Sequence, residues 1–415
     1  VRIIFYVLTT GVAAAVTYVL ARLIVPLAHR YKLYPKVRSR DVHTQPVPRL
    51  GGVAMFLGII VAIGVASQLP QLSLAFSEPT KIWGILGAAT IIFVLGVADD
   101  VWDLDWVTKL AGQIIAGGVL AWGGVQVVAI PAGSVITMLS PLTSLIITVL
   151  TVVLVMNAVN FIDGLDGLVA GVAIIATGVF FIYSYLLQSQ AQIEYFNLAS
   201  LITSVLIGAC LGFLPLNFHP AKLFMGDAGA LLVGLLMATA AITVTGQIDI
   251  EGIGRSDVLP AFIPVLLPVA ILVVPLLDFG LAVMRRLRAG KSPFSADRKH
   301  LHHRLLDMGH THLHAVLIFY GWTAVVAVGC LLFMFVPWYW ALGFIFAGLV
   351  IATAFTLAPL SRRKRAEAAA QLDEPVDGGV VPDARFDQLD AASESVDPDN
   401  PGGPTATLSA TEGAA

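Results

Sequence analysis

Stretches of roughly twenty residues with almost no charge recur along this chain, and they settle its class before any motif is read. Eleven such segments fall at about 3–25, 50–69, 82–99, 108–124, 139–157, 164–187, 196–216, 228–245, 259–283, 314–336 and 338–358. At about 1.5 Å of rise per residue, those near twenty residues are long enough as helices to cross roughly 30 Å of hydrocarbon, and 108–124 is the short, glycine-rich one. A helix also satisfies its own backbone groups, which lipid requires. Charged residues make up only 12% of the 415, against 57% hydrophobic, where soluble domains carry about 25% charged. Mean hydropathy is +0.86. The short alternating segments of a β-barrel are missing. The expected fold is an all-α polytopic membrane protein of about eleven transmembrane helices. No small-residue cleavage site follows the first span, so that span is expected to be retained.

Charge bias gives the expected orientation. Numbered from the N-terminus, the odd connections carry the basic residues: Arg30, Lys32, Lys36, Arg38, Arg40 and Arg49 in the first, Lys109 in the third, Lys222 in the seventh. The ninth holds Arg285, Arg286, Arg288, Lys291, Arg298, Lys299 and Arg304, and SRRKR follows the last span. The even connections hold only Lys81 and Arg255. Because positive residues stay on the cytoplasmic side, the N-terminus is expected outside and the C-terminus in the cytoplasm of a plasma (inner) membrane protein. Residues 366–415 hold eleven acidic residues against Arg385 alone. Their Ala, Asp, Pro and Gly content predicts a disordered tail. The domain division expected is therefore 1–360, transmembrane, and 361–415, a basic stop and an acidic tail. The basic loops are read as topology signals facing anionic membrane lipids, not as a nucleic-acid surface. Cys210 and Cys330 lie inside spans and show no metal or disulfide spacing.

Four clusters hold most of the acids, amides and histidines that accompany these spans: 99-DDVWDLD-105, 157-NAVNFIDGLDGLVAG-171, 217-NFHPAKLFMGDAG-229 and 291-KSPFSADRKHLHHRLLDMGH-310. All four fall on odd connections, so all meet one membrane face and read as one site. Adjacent carboxylates such as Asp99 and Asp100 repel unless a cation holds them or a pKa rises. A divalent ion is the favoured cation. If the helix continued, Asp103 would share a face with Asp99; Asp103 and Asp105 read more simply as a solvated helix end. Asn160, Asp163 and Asp166 recur every three residues beside Gly164 and Gly167, which permit close approach to the backbone. An amide and two carboxylates suit a nucleoside edge and a hydrated metal, or the cap of the next helix. Asp227, between Gly226 and Gly229, is a candidate anchor for Mg2+, which takes one or two carboxylates and keeps its waters. Phe224 could offer a ring face to a planar base. His300, His302 and His303 stand among Arg298, Lys299 and Arg304, neighbours that favour phosphate over a bound cation. His310, His312 and His314 read as interface residues.

An acidic, magnesium-binding centre beside a basic, histidine-bearing loop is equipment for phosphoryl transfer, where positioning and charge neutralisation do most of the work. Its placement at the cytoplasmic end of membrane helices implies one lipid-borne and one water-borne substrate. No G-x-x-x-x-G-K-[ST] sequence occurs, which excludes a P-loop ATPase. An ion-coupled transporter is the rival of another class. It would distribute its acids through the depth of the bilayer.

DDVWDLD, NAVNFIDGLDGLVAG, FMGDAGALLVG and SPFSADRKHLHHRL, with PRLGG at 48–52, together resemble the polyprenyl-phosphate N-acetylhexosamine-1-phosphate transferases of the glycosyltransferase 4 family. The resemblance covers about residues 1–360. The H-x-H-H form at His300–His303 is similar to the branch that uses UDP-GlcNAc, and departs from the three consecutive histidines of the branch that uses UDP-MurNAc-pentapeptide. The resemblance implies transfer of GlcNAc-1-phosphate to decaprenyl or undecaprenyl phosphate, with release of UMP, at the start of a cell-wall polysaccharide such as the arabinogalactan linker. It also implies Mg2+ (or Mn2+) as cofactor and a homodimer as a possible assembly. By motif, Asp99, Asp100, His300, His302 and His303 would be catalytic, and Asp227 and Asp163 would hold the metal. Lys109 would reach a phosphate, Asn160, Gly164, Leu165, Asp166 and Phe224 would bind the nucleotide, and Arg304 would face the diphosphate and sugar.

Overall fold

The computed structural model describes residues 2–31, 47–132, 135–191, 197–245, 273–288, 290 and 305–373. Eleven α-helices appear in them: α1 (Arg2–Tyr31), α2 (Gly51–Ser67), α3 (Pro79–Trp102), α4 (Trp106–Trp122), α5 (Pro141–Ile162), α6 (Leu168–Ala191), α7 (Asn197–Asn217), α8 (Gly226–Thr245), α9 (Val273–Arg288), α10 (His312–Leu332) and α11 (Trp338–Asp373). Each expected segment thus contains a helix. By length and apolar composition, however, only eight of them can cross a membrane. The number becomes nine if α2 and the 3-10 turn Pro70–Phe76, bent by 113° from it, form one broken span. The expected eleven spans are not reached among the described residues. The seventeen-residue α4 is short for a crossing, and most of 259–283 lies outside those residues.

Two further differences have local causes. Between α4 and α5 the chain forms a small antiparallel hairpin, β1 (Ala129–Ala132) with β2 (Val135–Met138), pairing Ala129 with Met138. Its β-branched residues favour extended backbone, and it is the only sheet among the described residues. α6 begins at Leu168, not at 164, because residues 163–167 form a turn that ends with Gly167 at a positive φ of 76°. Contacts divide the chain into two compact units, 1–363 and 364–415. Only the last residues of α11 are described in the second.

α8 is the axis of the larger unit. Every residue from Ala228 to Ala240 is buried, as expected of a helix that is apolar all round. α2, α3, α5 and α7 pack against it. Close approach depends on small residues, as between helices in lipid generally. A Cβ at Gly96 of α3 would overlap the backbone of Ala228. In α8 the buried hydroxyls of Thr239 and Thr243 each donate to the carbonyl four residues earlier at 2.7 Å. Between helices, Thr10 donates to the Ser204 carbonyl at 2.9 Å. α11 is different: Trp338, Tyr339, Trp340, Phe346 and Phe355 are exposed, as suits a helix that meets lipid with an aromatic rim.

Candidate active site

α3 stops at Trp102 because Asp103 adopts a left-handed conformation (φ 55°) and its N–H closes onto the Asp99 carbonyl at 2.8 Å. Asp105 then caps α4, accepting the N–H groups of Val107 and Thr108 at 3.0 and 3.1 Å. The Thr108 hydroxyl donates to the same carboxylate, and these hydrogen bonds hold the exposed Asp105 below the usual carboxylate range. Asp103 and Asp105 therefore build the reversal between two helices. Their effect is to fold Lys109, in the first turn of α4, back over Asp99.

Lys109 is the hub of the centre. Its Nζ lies 2.5 Å from Asp99 Oδ2 and 3.3 Å from Asp227 Oδ2. The side chain of Asp99 is almost wholly buried, while those of Lys109 and Asp227 keep about a quarter of their surface. The other oxygen of Asp99 accepts the Leu104 N–H at 2.8 Å, so the carboxylate is fixed from both sides. Asn160, in the last turn of α5, donates to Asp227 Oδ2 at 3.5 Å. Four residues from four helices thus meet at one point. An ammonium already offsets part of the acidic charge that sequence reasoning assigned to a divalent ion alone.

Asp100 points elsewhere. Its two oxygens accept the backbone N–H groups of Asp227 and Ala228 at 3.0 and 3.2 Å. It caps α8 from a neighbouring helix, its two oxygens set against N–H groups of the first turn that have no partner within the helix. Gly226, at φ 70°, has no Cβ because one would strike this carboxylate and the Arg49 carbonyl. The PRLGG segment supports the same corner: Gly51 and Gly52 donate to the carbonyls of Phe224 and Met225 at 2.9 Å, and Phe224 donates to Pro48 at 2.8 Å.

Asp163 immediately follows α5 as its C-cap, its N–H bonded to the Asn160 carbonyl at 3.2 Å. Burial, and then the charge of Asp227, push its carboxyl up to about 7, and Arg49 partly opposes the shift. Asp166 turns inward. Its carboxylate accepts from His219 Nδ1 at 2.8 Å and from the Ala221 N–H at 3.0 Å. Of its expected partners in a nucleotide pocket, Gly164 is exposed, Leu165 buried and Phe224 half-buried. His300, His302, His303 and Arg304 lie outside the described residues.

Several contributors were not singled out from sequence. Asn217 accepts the Gly167 N–H at 2.9 Å and donates to the Leu223 carbonyl at 3.0 Å, tying the turn before α6 to the loop before α8. Tyr320 of α10 donates to the Gly167 carbonyl at 2.6 Å. Arg49 counts in the sequence only towards charge bias, although its place in PRLGG is a signal. Arg286 is buried, its guanidinium 5.4 Å from the ring centre of Phe161, beside Asn160.

Hard oxygen donors with no sulfur among them suit Mg2+. Asp227 and Asp163 supply carboxylates on adjacent elements, within electrostatic reach of each other. Among the described residues no group of three or more His, Cys, Asp or Glu is placed to hold a metal. Asp227 and Asp163 are the carboxylates that would hold an ion of this kind, with water completing its shell.

Fold and site together define a multi-pass helical membrane protein with a carboxylate–ammonium centre at one end of its helix bundle. The chain belongs to glycosyl transferase family 4, whose pattern matches residues 82–245, from α3 through α8. It is 44% identical over 355 residues to the decaprenyl-phosphate N-acetylglucosaminephosphotransferase of Mycobacterium tuberculosis (strain CDC 1551 / Oshkosh), covering 85% of this chain and 88% of that one. It is likewise 44% identical over 356 residues to the protein of the same description from Mycobacterium leprae, covering 85% and 89%. A probable undecaprenyl-phosphate N-acetylglucosaminyl 1-phosphate transferase of Bacillus subtilis is 29% identical over 298 residues, covering 68% and 72%.

Proposed function

We propose that this protein transfers GlcNAc-1-phosphate from UDP-GlcNAc to a polyprenyl phosphate, decaprenyl or undecaprenyl, giving polyprenyl-diphospho-GlcNAc and UMP at the cytoplasmic face of the plasma membrane. The observation that carries the reading is the meeting of Asp99, Lys109, Asn160 and Asp227 at one end of α3, α4, α5 and α8. Relatives described as decaprenyl-phosphate N-acetylglucosaminephosphotransferases support the substrates.

In this reading Asp99 orients and deprotonates the lipid phosphate, held in place by Lys109 and the Leu104 N–H. Little basicity is needed, because the second pKa of a phosphate monoester is about 6. Lys109 lies between Asp99 and Asp227 and exchanges one of these partners for a phosphate oxygen as substrate enters. Asp227 and Asp163 would hold Mg2+, which supplies charge neutralisation at the diphosphate when bound. Asp100 keeps the start of α8, and with it Asp227, in position. His300, His302, His303 and Arg304 take the diphosphate and sugar.

The test is the purified protein in detergent with decaprenyl phosphate, UDP-GlcNAc and Mg2+, following UMP and the lipid product. Absence of both sinks the reading, as does turnover of UDP-MurNAc-pentapeptide in place of UDP-GlcNAc.

A further inference from the structure

Gln113 is the polar residue among those buried in α4. The others are Ala116, Gly117, Leu120 and Ala121, whose apolar contacts are non-directional and do not by themselves stop a helix from sliding or turning. Gln113 meets a second amide on α5. Asn157 Nδ2 donates to Gln113 Oε1, and the same nitrogen donates to the Val153 carbonyl of its own helix at 2.8 Å. Neither side chain has a part in the centre described above.

The pair lies one turn inside that centre. Gln113 follows Lys109 by four residues on α4, and Asn157 precedes Asn160 by three on α5, so each shares a helical face with a site residue. Lys109 and Asn160 both reach Asp227 Oδ2, at 3.3 and 3.5 Å. The two helices thus meet at two polar levels, about 6 Å apart. The outer level holds the groups of the centre, and the inner one holds only the helices. The far end of the same helix pair is also tied: Ser144 donates to the Val127 carbonyl at 2.8 Å, and the Val127 N–H donates to Thr148 at 2.9 Å.

A hydrogen bond between helices in lipid adds little net stability, because the separated helices also find partners. What it supplies is direction, as a buried amide does when it fixes the register of a coiled coil. Resting on the reading of the chain as a GlcNAc-1-phosphate transferase, we infer that Gln113 and Asn157 are positioning residues, whose hydrogen bond sets the register of α4 on α5 that brings the Lys109 ammonium and the Asn160 amide to one oxygen of Asp227. A slip of one residue moves Lys109 about 1.5 Å along the helix axis. Misplacing a catalytic group by about 1 Å can cost a hundredfold in rate.

The test uses the full-length protein in detergent and the double variant Gln113→Met/Asn157→Leu, which replaces both amides by apolar side chains of similar volume. Removing both partners strands neither, so the unfolding temperature is expected at or above that of the wild type. The kcat for UMP release is expected to fall about tenfold to a hundredfold, with KM for UDP-GlcNAc unchanged. A second reading is independent of turnover: Lys109→Met is introduced into both backgrounds and the losses of unfolding temperature are compared. The loss should be smaller in the double variant, where the ammonium has already left its place. Wild-type turnover by the double variant overturns the proposal, as does a kcat loss matched by a fallen unfolding temperature. Equal losses from Lys109→Met in the two backgrounds also overturn it. If the double variant does not fold, Gln113→Asn, one methylene too short to meet Asn157, is judged by kcat and by the same comparison. A wild type that does not turn over UDP-GlcNAc sinks the transferase reading, and the Lys109→Met comparison alone then decides the register role.

Discussion

The carboxylate of Asp100 accepts the backbone N–H of Asp227, 127 residues further along the chain, and so the two neighbouring aspartates of α3 serve different partners. Asp99 faces the Lys109 ammonium. Asp100 faces the first turn of α8. Substitutions at the two positions should therefore fail in different ways.

Asp100→Ala removes a cap made by a half-buried side chain. Such losses typically cost about 0.5–2 kcal/mol. The expected outcome is a lower unfolding temperature in detergent together with UMP release reduced at least about a hundredfold, because Asp227 loses its register. Asp99→Asn should abolish UMP release with an unfolding temperature close to the wild type. Equal thermal losses in the two variants would contradict the division of roles.

Lys109→Met leaves Asp99 and Asp227 facing each other without their ammonium. Removing a preorganised charge from an active site commonly lowers kcat by about a hundredfold to a thousandfold. That loss is expected here in the UMP-release assay. Lys109→Arg, which keeps the charge on a wider planar head, should recover only part of it.

Asp163 provides a pH signature. Its carboxyl is raised from 3.8 to about 7 by burial and by Asp227. A carboxyl raised in the folded state contributes stability that is complete below about 3.8 and is lost as pH rises through about 7. With EDTA present, the unfolding temperature should therefore fall between pH 5.5 and 8, and Asp163→Asn should flatten this dependence. Since the ionised form is the one that binds a cation, Mg2+ should stabilise the wild type more at pH 8 than at pH 6.

Asn217→Ala strands the Gly167 N–H and the Leu223 carbonyl. Each buried group left without its partner costs about 1–3 kcal/mol. A marked fall in unfolding temperature is expected, with weaker UMP binding because the turn at 163–167 and the loop at 217–225 lose their tie. Tyr320→Phe, which removes one bond to the Gly167 carbonyl, should show the milder form of both effects.

Much of this is written in the sequence at the level of segments. Hydropathy marks where each helix lies, since lipid leaves the backbone no other option. The convergence of the clusters around Asp99, Asn160 and Asp227 follows from the alternation of connections. Individual contacts are harder to read. Spacing put Asp99 and Asp103 on one helical face, but the left-handed backbone at Asp103 ends α3 first. Nothing local to Lys109 says that this reversal will bring it onto Asp99 and Asp227. Asp163 and Asp166 look alike in the sequence, three residues apart. One is left beside the charge of Asp227, the other is drawn inward by the Ala221 N–H and His219. That choice depends on a loop fifty residues away. Hydropathy also marked the segment at α4, and its shortness, seventeen residues in the sequence as in the helix, was already visible there.

The cap that Asp100 places on α8 has a consequence for biogenesis. α3 leaves the ribosome long before α8, carrying two carboxylates whose eventual partners have yet to be made. Until the residues around Gly226 arrive, there is no amide pair for Asp100 and no second acid for Lys109. The reactive centre is thus assembled only when the later half of the bundle has docked, and a chain interrupted before α8 would lie in the membrane without chemistry to perform.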